Sequence, residues 1–129
     1  MAAAVDTRRF EQVAVGDVLP DLVVPLTRTV IVATAIASRD YQDVHHDPTL
    51  AVERGSPDIF MNILTTNGFV GRYVTDWAGP GGRLEEVAIR LGAPNYPGDT
   101  MTLTGTVTDL DPSDGGDGRG VVVVAVVAA

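Results

Sequence analysis

The 129-residue sequence contains no cysteine and no lysine. Without a thiol there is no disulfide framework, no zinc–cysteine or iron–sulfur site, and no cysteine nucleophile. Without a lysine amine, Schiff-base chemistry and P-loop nucleotide binding are excluded. Positive charge is scarce: nine arginines face 17 acidic residues, for a net charge of -8. A general nucleic-acid binder needs the opposite balance, because it must displace counterions from phosphates. Long apolar runs are missing too. Met1 to Val5 is short, and Asp6 precedes Arg8 and Arg9, whereas a secretory signal carries positive charge first. Val121 to Ala129 is apolar but far shorter than a membrane span. These absences imply a soluble cytoplasmic protein with neither a nucleic-acid nor a membrane partner.

What is present suits one globular domain over residues 1–129, with residues 1–15 as a loose N-terminal arm. Apolar residues make up 45% and charged residues 20%, a folding balance rather than a disordered one. Thr29 to Ser38 is ambiguous: its β-branched residues favour a strand, while its length and alanines permit a helix. Pro48 to Arg54 reads as a short helix closed by Gly55. Ser56 and Pro57 then open the clearest element, a long helix over about 57–77. Its apolar face comprises Ile59, Phe60, Ile63, Leu64, Val70, Tyr73, Val74 and Trp77. Gly68 and Gly71 inside it imply close approach of another backbone. Beyond residue 82 the period becomes alternating, with strands over Leu84–Leu91, Met101–Leu110 and Val121–Ala129. A long helix followed by antiparallel strands gives an α+β domain with the sheet wrapped on the helix.

Chemistry concentrates in one polar loop, Asp40-Tyr41-Gln42-Asp43-Val44-His45-His46-Asp47-Pro48, which holds both histidines of the chain. A carboxylate and an imidazole five residues apart in a loop can converge on one water molecule. Imidazole titrates nearest neutrality, and a carboxylate beside it can hold it or share the proton transfer. Such a pair suits addition or removal of water at an activated double bond. The bland alternative is a hydrogen-bonded polar turn. A metal site from Asp40, Asp43, His45, His46 and Asp47 lacks ligand spacing, so no metal is expected. The acidic loop Asp111–Gly120 lacks the calcium-loop frame and reads as a turn.

Asp40 to His45 resembles the D-x-N-P-[apolar]-H signature of the MaoC-like, or (R)-specific, enoyl-CoA hydratases, with Gln42 and Asp43 where asparagine and proline are usual. Tyr96-Pro97-Gly98-Asp99-Thr100 resembles the turn before a long strand of the hot-dog fold. Residues 39–47, 58–64 and 72–80 are similar to the small subunits of actinobacterial steroid side-chain hydratases. The resemblance spans most of residues 15–110. It implies a single hot-dog domain, with Thr29–Ser38 a helix feeding the loop. It also implies hydration of a 2-enoyl-CoA, here a steroid-CoA with a three-carbon side chain in cholesterol breakdown. Asp40 and His45 would activate the water, the backbone N–H of Asn62 would face the thioester oxyanion, and Phe60 would contact substrate. No cofactor is implied beyond the coenzyme A of the substrate. The implied partner is a second MaoC-like subunit in an α2β2 assembly, with an extra domain that docks an aldolase. Hot-dog domains of this kind carry one more long strand after Val121–Ala129, so the chain is either truncated or has that edge covered by a partner.

Two rival readings remain open at the level of sequence. One is a non-catalytic hot-dog subunit, in which Asp40 and His45 are dispensable. The other is an acyl-CoA thioesterase, whose carboxylate at the helix start would be Asp58.

Overall fold

In the computed structural model, which describes residues 6–113 and 115–129, two of the three expected strands join an earlier segment, not expected as a strand, in a three-stranded sheet. β1 is Val18–Pro25, β2 is Thr100–Pro112 and β3 is Gly120–Ala128, in the order β1-β2-β3. β2 buries Met101, Leu103 and Val107 at every second or fourth position, the period of a half-buried strand. It pairs antiparallel with β3, from Leu103 opposite Ala128 to Pro112 opposite Gly120.

Three helices precede β2: α1 (Arg28–Ala37), α2 (Pro48–Glu53) and α3 (Ile63–Ala78). α1 settles the ambiguous segment as a helix. The Thr27 hydroxyl caps it by accepting the Val30 N–H at 3.1 Å, and Ile31 and Ala35, one turn apart, are fully buried. Capping and burial at helical spacing outweigh the strand preference of its β-branched residues. α2 falls one residue short of its expected end, with Arg54 as its C-cap, Asp47 accepting the Leu50 N–H at 3.1 Å and Gly55 in the left-handed region at φ 97°.

The chain forms two compact units. The first comprises residues up to Leu22, Val70–Glu86 and Thr102–Ala129. Its core holds Leu19, Tyr73, Leu103 and Val107. The Tyr73 ring sits so close to Gly105 that a Cβ there would lie 2.9 Å from it. The second unit comprises Val23–Phe69 and Val87–Met101. Its core holds Leu26, Ile31, Ala35, Ala51, Ile59 and Met61.

Several expectations are corrected. Residues 6–15 are not a loose arm. The Arg8 N–H donates to Ala78 O at 2.8 Å and its guanidinium lies 4.9 Å over the Trp77 ring; residues 1–5 of the expected arm lie outside the described residues. The long helix starts at Ile63, not at residue 57. Residues 57–62 stay irregular because Phe60 N–H donates to Val44 O and Met61 N–H to Asn95 O, which draws the backbone away from helical pairing. Ile63 and Leu64, expected in the core, are about half exposed, while Thr65, Thr66 and Tyr73 are buried. Gly68 faces open space, and Gly71 meets the Leu84 side chain rather than a backbone. Leu84–Leu91 is extended but is not a strand. Residues 83–94 make no backbone hydrogen bond among the described residues, and a strand exists only as part of a ladder.

Candidate active site

The end of α1 fixes Asp40. Ser38 closes the helix, and Arg39 follows at φ 58°, the non-glycine residue with positive φ among the described residues. The Arg39 N–H donates to Ile36 O and the Asp40 N–H to Ala35 O, both at 2.9 Å. This pair of bonds is the Schellman closure, which glycine usually serves. Arginine in the left-handed region costs about 1 kcal/mol, a strain held at the residue before the catalytic candidate.

His45 ends a 3-10 turn, Asp43–His45, and is 6% exposed. Its Nδ1 lies 2.7 Å from Phe60 O. A carbonyl only accepts, so Nδ1 carries the proton and the neutral ring presents a bare lone pair at Nε2. That Nε2 stands 3.3 Å from Asp40 Oδ2. Phe60 also packs edge-on against the imidazole, with ring centroids 4.9 Å apart. Two acceptors thus face one another, an arrangement relieved by a proton on the ring or by a water donating to both.

Asn62 completes the cluster and is 2% exposed. Its Oδ1 accepts the Thr65 N–H at 2.9 Å and the Thr65 hydroxyl, which makes it the N-cap of α3. Its Nδ2 donates to Ser38 Oγ at 2.9 Å and to Asp40 Oδ2 at 3.1 Å. The Asn62 backbone N–H finds no acceptor among the described residues, as expected for a donor at a helix start.

The family model of the MaoC-like domain matches residues 10–128. The chain belongs to the MaoC-like family. A curated relative, the 3-oxo-4,17-pregnadiene-20-carboxyl-CoA hydratase beta subunit of Mycobacterium tuberculosis, is 55% identical over 97 residues, covering 75% of each chain. The crystal structure of the ChsH1-ChsH2 complex from Mycobacterium tuberculosis superposes with a TM-score of 0.80 at 50% identity, over 89% of this chain and 85% of that one. The (R)-hydratase from A. caviae involved in PHA biosynthesis reaches a TM-score of 0.71 over 92% of this chain and 87% of that one. At 19% identity it shows the shared fold alone. The expected hot-dog class of the α+β domain is therefore the fold of this MaoC-like chain.

The neighbours of the dyad in this MaoC-like loop are structural. Asp43 pairs with Arg54 at 2.7 Å, His46 Nε2 lies 3.1 Å from Tyr41 O, and Asp47 caps α2. Asp58 is not at a helix start; both its oxygens are taken by Arg28, at 2.9 and 2.8 Å. Sequence reasoning singled out Asp40, His45, Phe60 and Asn62, and the structure brings all four together. It missed the Asn62 side chain, Ser38 and Thr65. The available signal was Asn62 three residues before Thr65, a capping spacing hidden by the stronger Ser56-Pro57 start.

Burial pushes the Asp40 carboxyl upward, but the hydrogen bonds from Asn62 and from the Gln42 N–H, with the charge of His45, outweigh it and hold the group below its ordinary value. Asp58 is lowered as well, chiefly by its hydrogen bonds from Arg28. A depressed folded value contributes stability that is complete above the unfolded value, near 3.9 for aspartate, and is lost as pH falls through the folded one. The melting temperature should therefore hold level down to about pH 4 and then fall. In Arg28→Met the drop below that pH should be shallower, because Asp58 loses the interactions that chiefly lower it on folding. A melting curve as steep as the parent's would contradict this.

Among the described residues, no helix is long and apolar enough to cross a membrane.

Proposed function

We propose that this MaoC-like chain hydrates the double bond of a 2-enoyl-CoA, with Asp40 and His45 as the catalytic pair. The observation that carries the reading is the pair of acceptors, Asp40 Oδ2 and His45 Nε2, 3.3 Å apart with Nδ1 occupied by Phe60 O. A water donating to both becomes a stronger nucleophile. Its oxygen adds to Cβ, one proton passes to the dyad, and a proton returns from the dyad to Cα, so the sum is one water added. Negative charge builds on the thioester oxygen meanwhile. The unpartnered Asn62 N–H, at the start of α3, is the donor that would meet it, aided by the helix dipole. Phe60, half-buried beside His45, is the substrate contact. Coenzyme A enters as part of the substrate and no other cofactor is required.

The substrate class is a steroid-CoA with a three-carbon side chain. Its support is the identity with a hydratase subunit named for a pregnadiene carboxyl-CoA. A second support is the exposure of Tyr41, Ile63 and Leu64, apolar groups adjoining Asp40 and Asn62 in the chain. The partner is a second MaoC-like subunit, in keeping with a relative that is a beta subunit and a superposable structure that is a complex. The setting is the cytoplasm. A thioesterase reading is disfavoured because Asp58 is engaged by Arg28.

The test is an assay of the assembled complex with a three-carbon side-chain steroid enoyl-CoA. The enoyl thioester absorbance should fall as a 3-hydroxyacyl-CoA forms, faster than with short linear enoyl-CoAs. Release of free thiol without hydration would overturn the reading in favour of a thioesterase.

A further inference from the structure

We infer that the Asn62 side-chain amide is a positioning group for Asp40, locked in its donating orientation by its second duty as the N-cap of α3. The link to catalysis rests on the hydratase reading above. An amide has one accepting end and one donating end, and only its partners tell which faces where. Here the Thr65 N–H, Ser38 Oγ and Asp40 Oδ2 together admit a single orientation. The Thr65 N–H can only donate, and it reaches Asn62 Oδ1 at 2.9 Å, so the accepting end must face the helix. The other end must then face away, and it meets Ser38 Oγ and Asp40 Oδ2. Ser38 has its hydroxyl proton committed to the carbonyls of Thr34 and Ala35, at 2.8 and 3.0 Å, so its oxygen is left to accept. An ionised carboxylate only accepts as well.

Flipping the amide would set a nitrogen against the Thr65 N–H and an oxygen against Asp40, leaving two mispaired groups in a buried site. The amide therefore favours the charged form of Asp40. It also grips Oδ2, the oxygen that faces His45 Nε2. His45 is the titratable group within ion-pair distance of Asp40 among the described residues.

The choice of residue follows from the double duty. Aspartate caps a helix as well as asparagine does, but it has no donor and would set a second negative charge about 3 Å from Asp40. Serine and threonine also cap, but offer one oxygen and no second end to reach the carboxylate. Asparagine supplies the cap and the donor together. Ser38 at the end of α1 and Asn62 at the start of α3 thus hold Asp40 from two helix ends.

The test compares Asn62→Asp and Asn62→Ser with the parent. Both keep a capping oxygen, so both should melt within about 4 °C of the parent. In the full chain, carbon NMR of the Asp40 carboxyl should show it titrating at least about one pH unit higher in Asn62→Asp, with a smaller rise in Asn62→Ser. In the assembled complex, kcat for Asn62→Asp should fall about a hundredfold, with KM changed by less than about threefold. The acid limb of its rate profile should move up with the carboxyl titration. A merely structural cap would move neither the titration nor the limb. A folded Asn62→Asp with both unchanged overturns the inference. If that variant does not fold, an unchanged Asp40 titration in Asn62→Ser overturns it instead. If the parent complex shows no hydration, the hydratase reading fails, while the carboxyl titration still decides the positioning role.

Discussion

Replacing His45 with alanine is expected to lower kcat for hydration by about a thousandfold, and Asp40→Asn by a similar factor. His45→Ala removes the Nε2 lone pair, one of the two acceptors that would face the water. Asp40→Asn keeps the size of the side chain, and its oxygen can still accept from Asn62. It loses the negative charge that would polarise the water and stabilise a protonated imidazole beside it. The double variant Asp40→Ala, His45→Ala should be no worse than the more damaging single change, because the pair acts on one water and such effects are not additive. Circular dichroism should confirm that each variant folds. Turnover above a tenth of the parent rate in the double variant would show that the chemistry lies elsewhere, as in a non-catalytic hot-dog subunit.

The largest effect expected on stability is at the far end of α3. Gly79→Ala should destabilise the protein by about 3 kcal/mol in urea unfolding. Gly79 holds φ 85°, a conformation that a side chain resists. A Cβ there would also lie 2.6 Å from Asp6 O and 2.7 Å from Thr7 Cα. These are backbone atoms, so no rotamer change relieves the clash. The segment must lift, and it would break the Arg8 bond to Ala78 O and the Gly81 N–H bond to the Thr7 hydroxyl. A loss under about 1 kcal/mol would mean that residues 6–8 are not held against the helix end.

The parts of this molecule legible in its sequence are those set by local chemistry. Asp47 before Pro48, and Gly55 after the short helix, specify α2 with no tertiary help. The alternation of Met101, Leu103 and Val107 specifies β2. Asp40 and His45 were visible because both histidines and three aspartates fall together in one polar loop. Other features depended on contacts distant in sequence. Ser56-Pro57 is a good helix start, yet Val44 and Asn95 claim the backbone that follows it. Leu84–Leu91 has strand composition, but pairing is a property of neighbours. Asn62 carried two signals, and the one read from sequence concerned its backbone. Its side chain emerges only when Ser38, Asp40 and Thr65 are brought around it.

One consequence follows from β3. Its outer edge is unpaired among the described residues, and from Gly120 to Ala129 it carries no charge. Val121, Val123 and Val127 are exposed along it. Natural sheets guard such edges with lysine, proline or a bulge, and this chain has no lysine to offer. Left bare, that edge is a template for self-association, opposed mainly by the mutual repulsion of a net charge of -8. Added salt weakens that repulsion, so chains with that edge bare should cloud sooner in salty buffer.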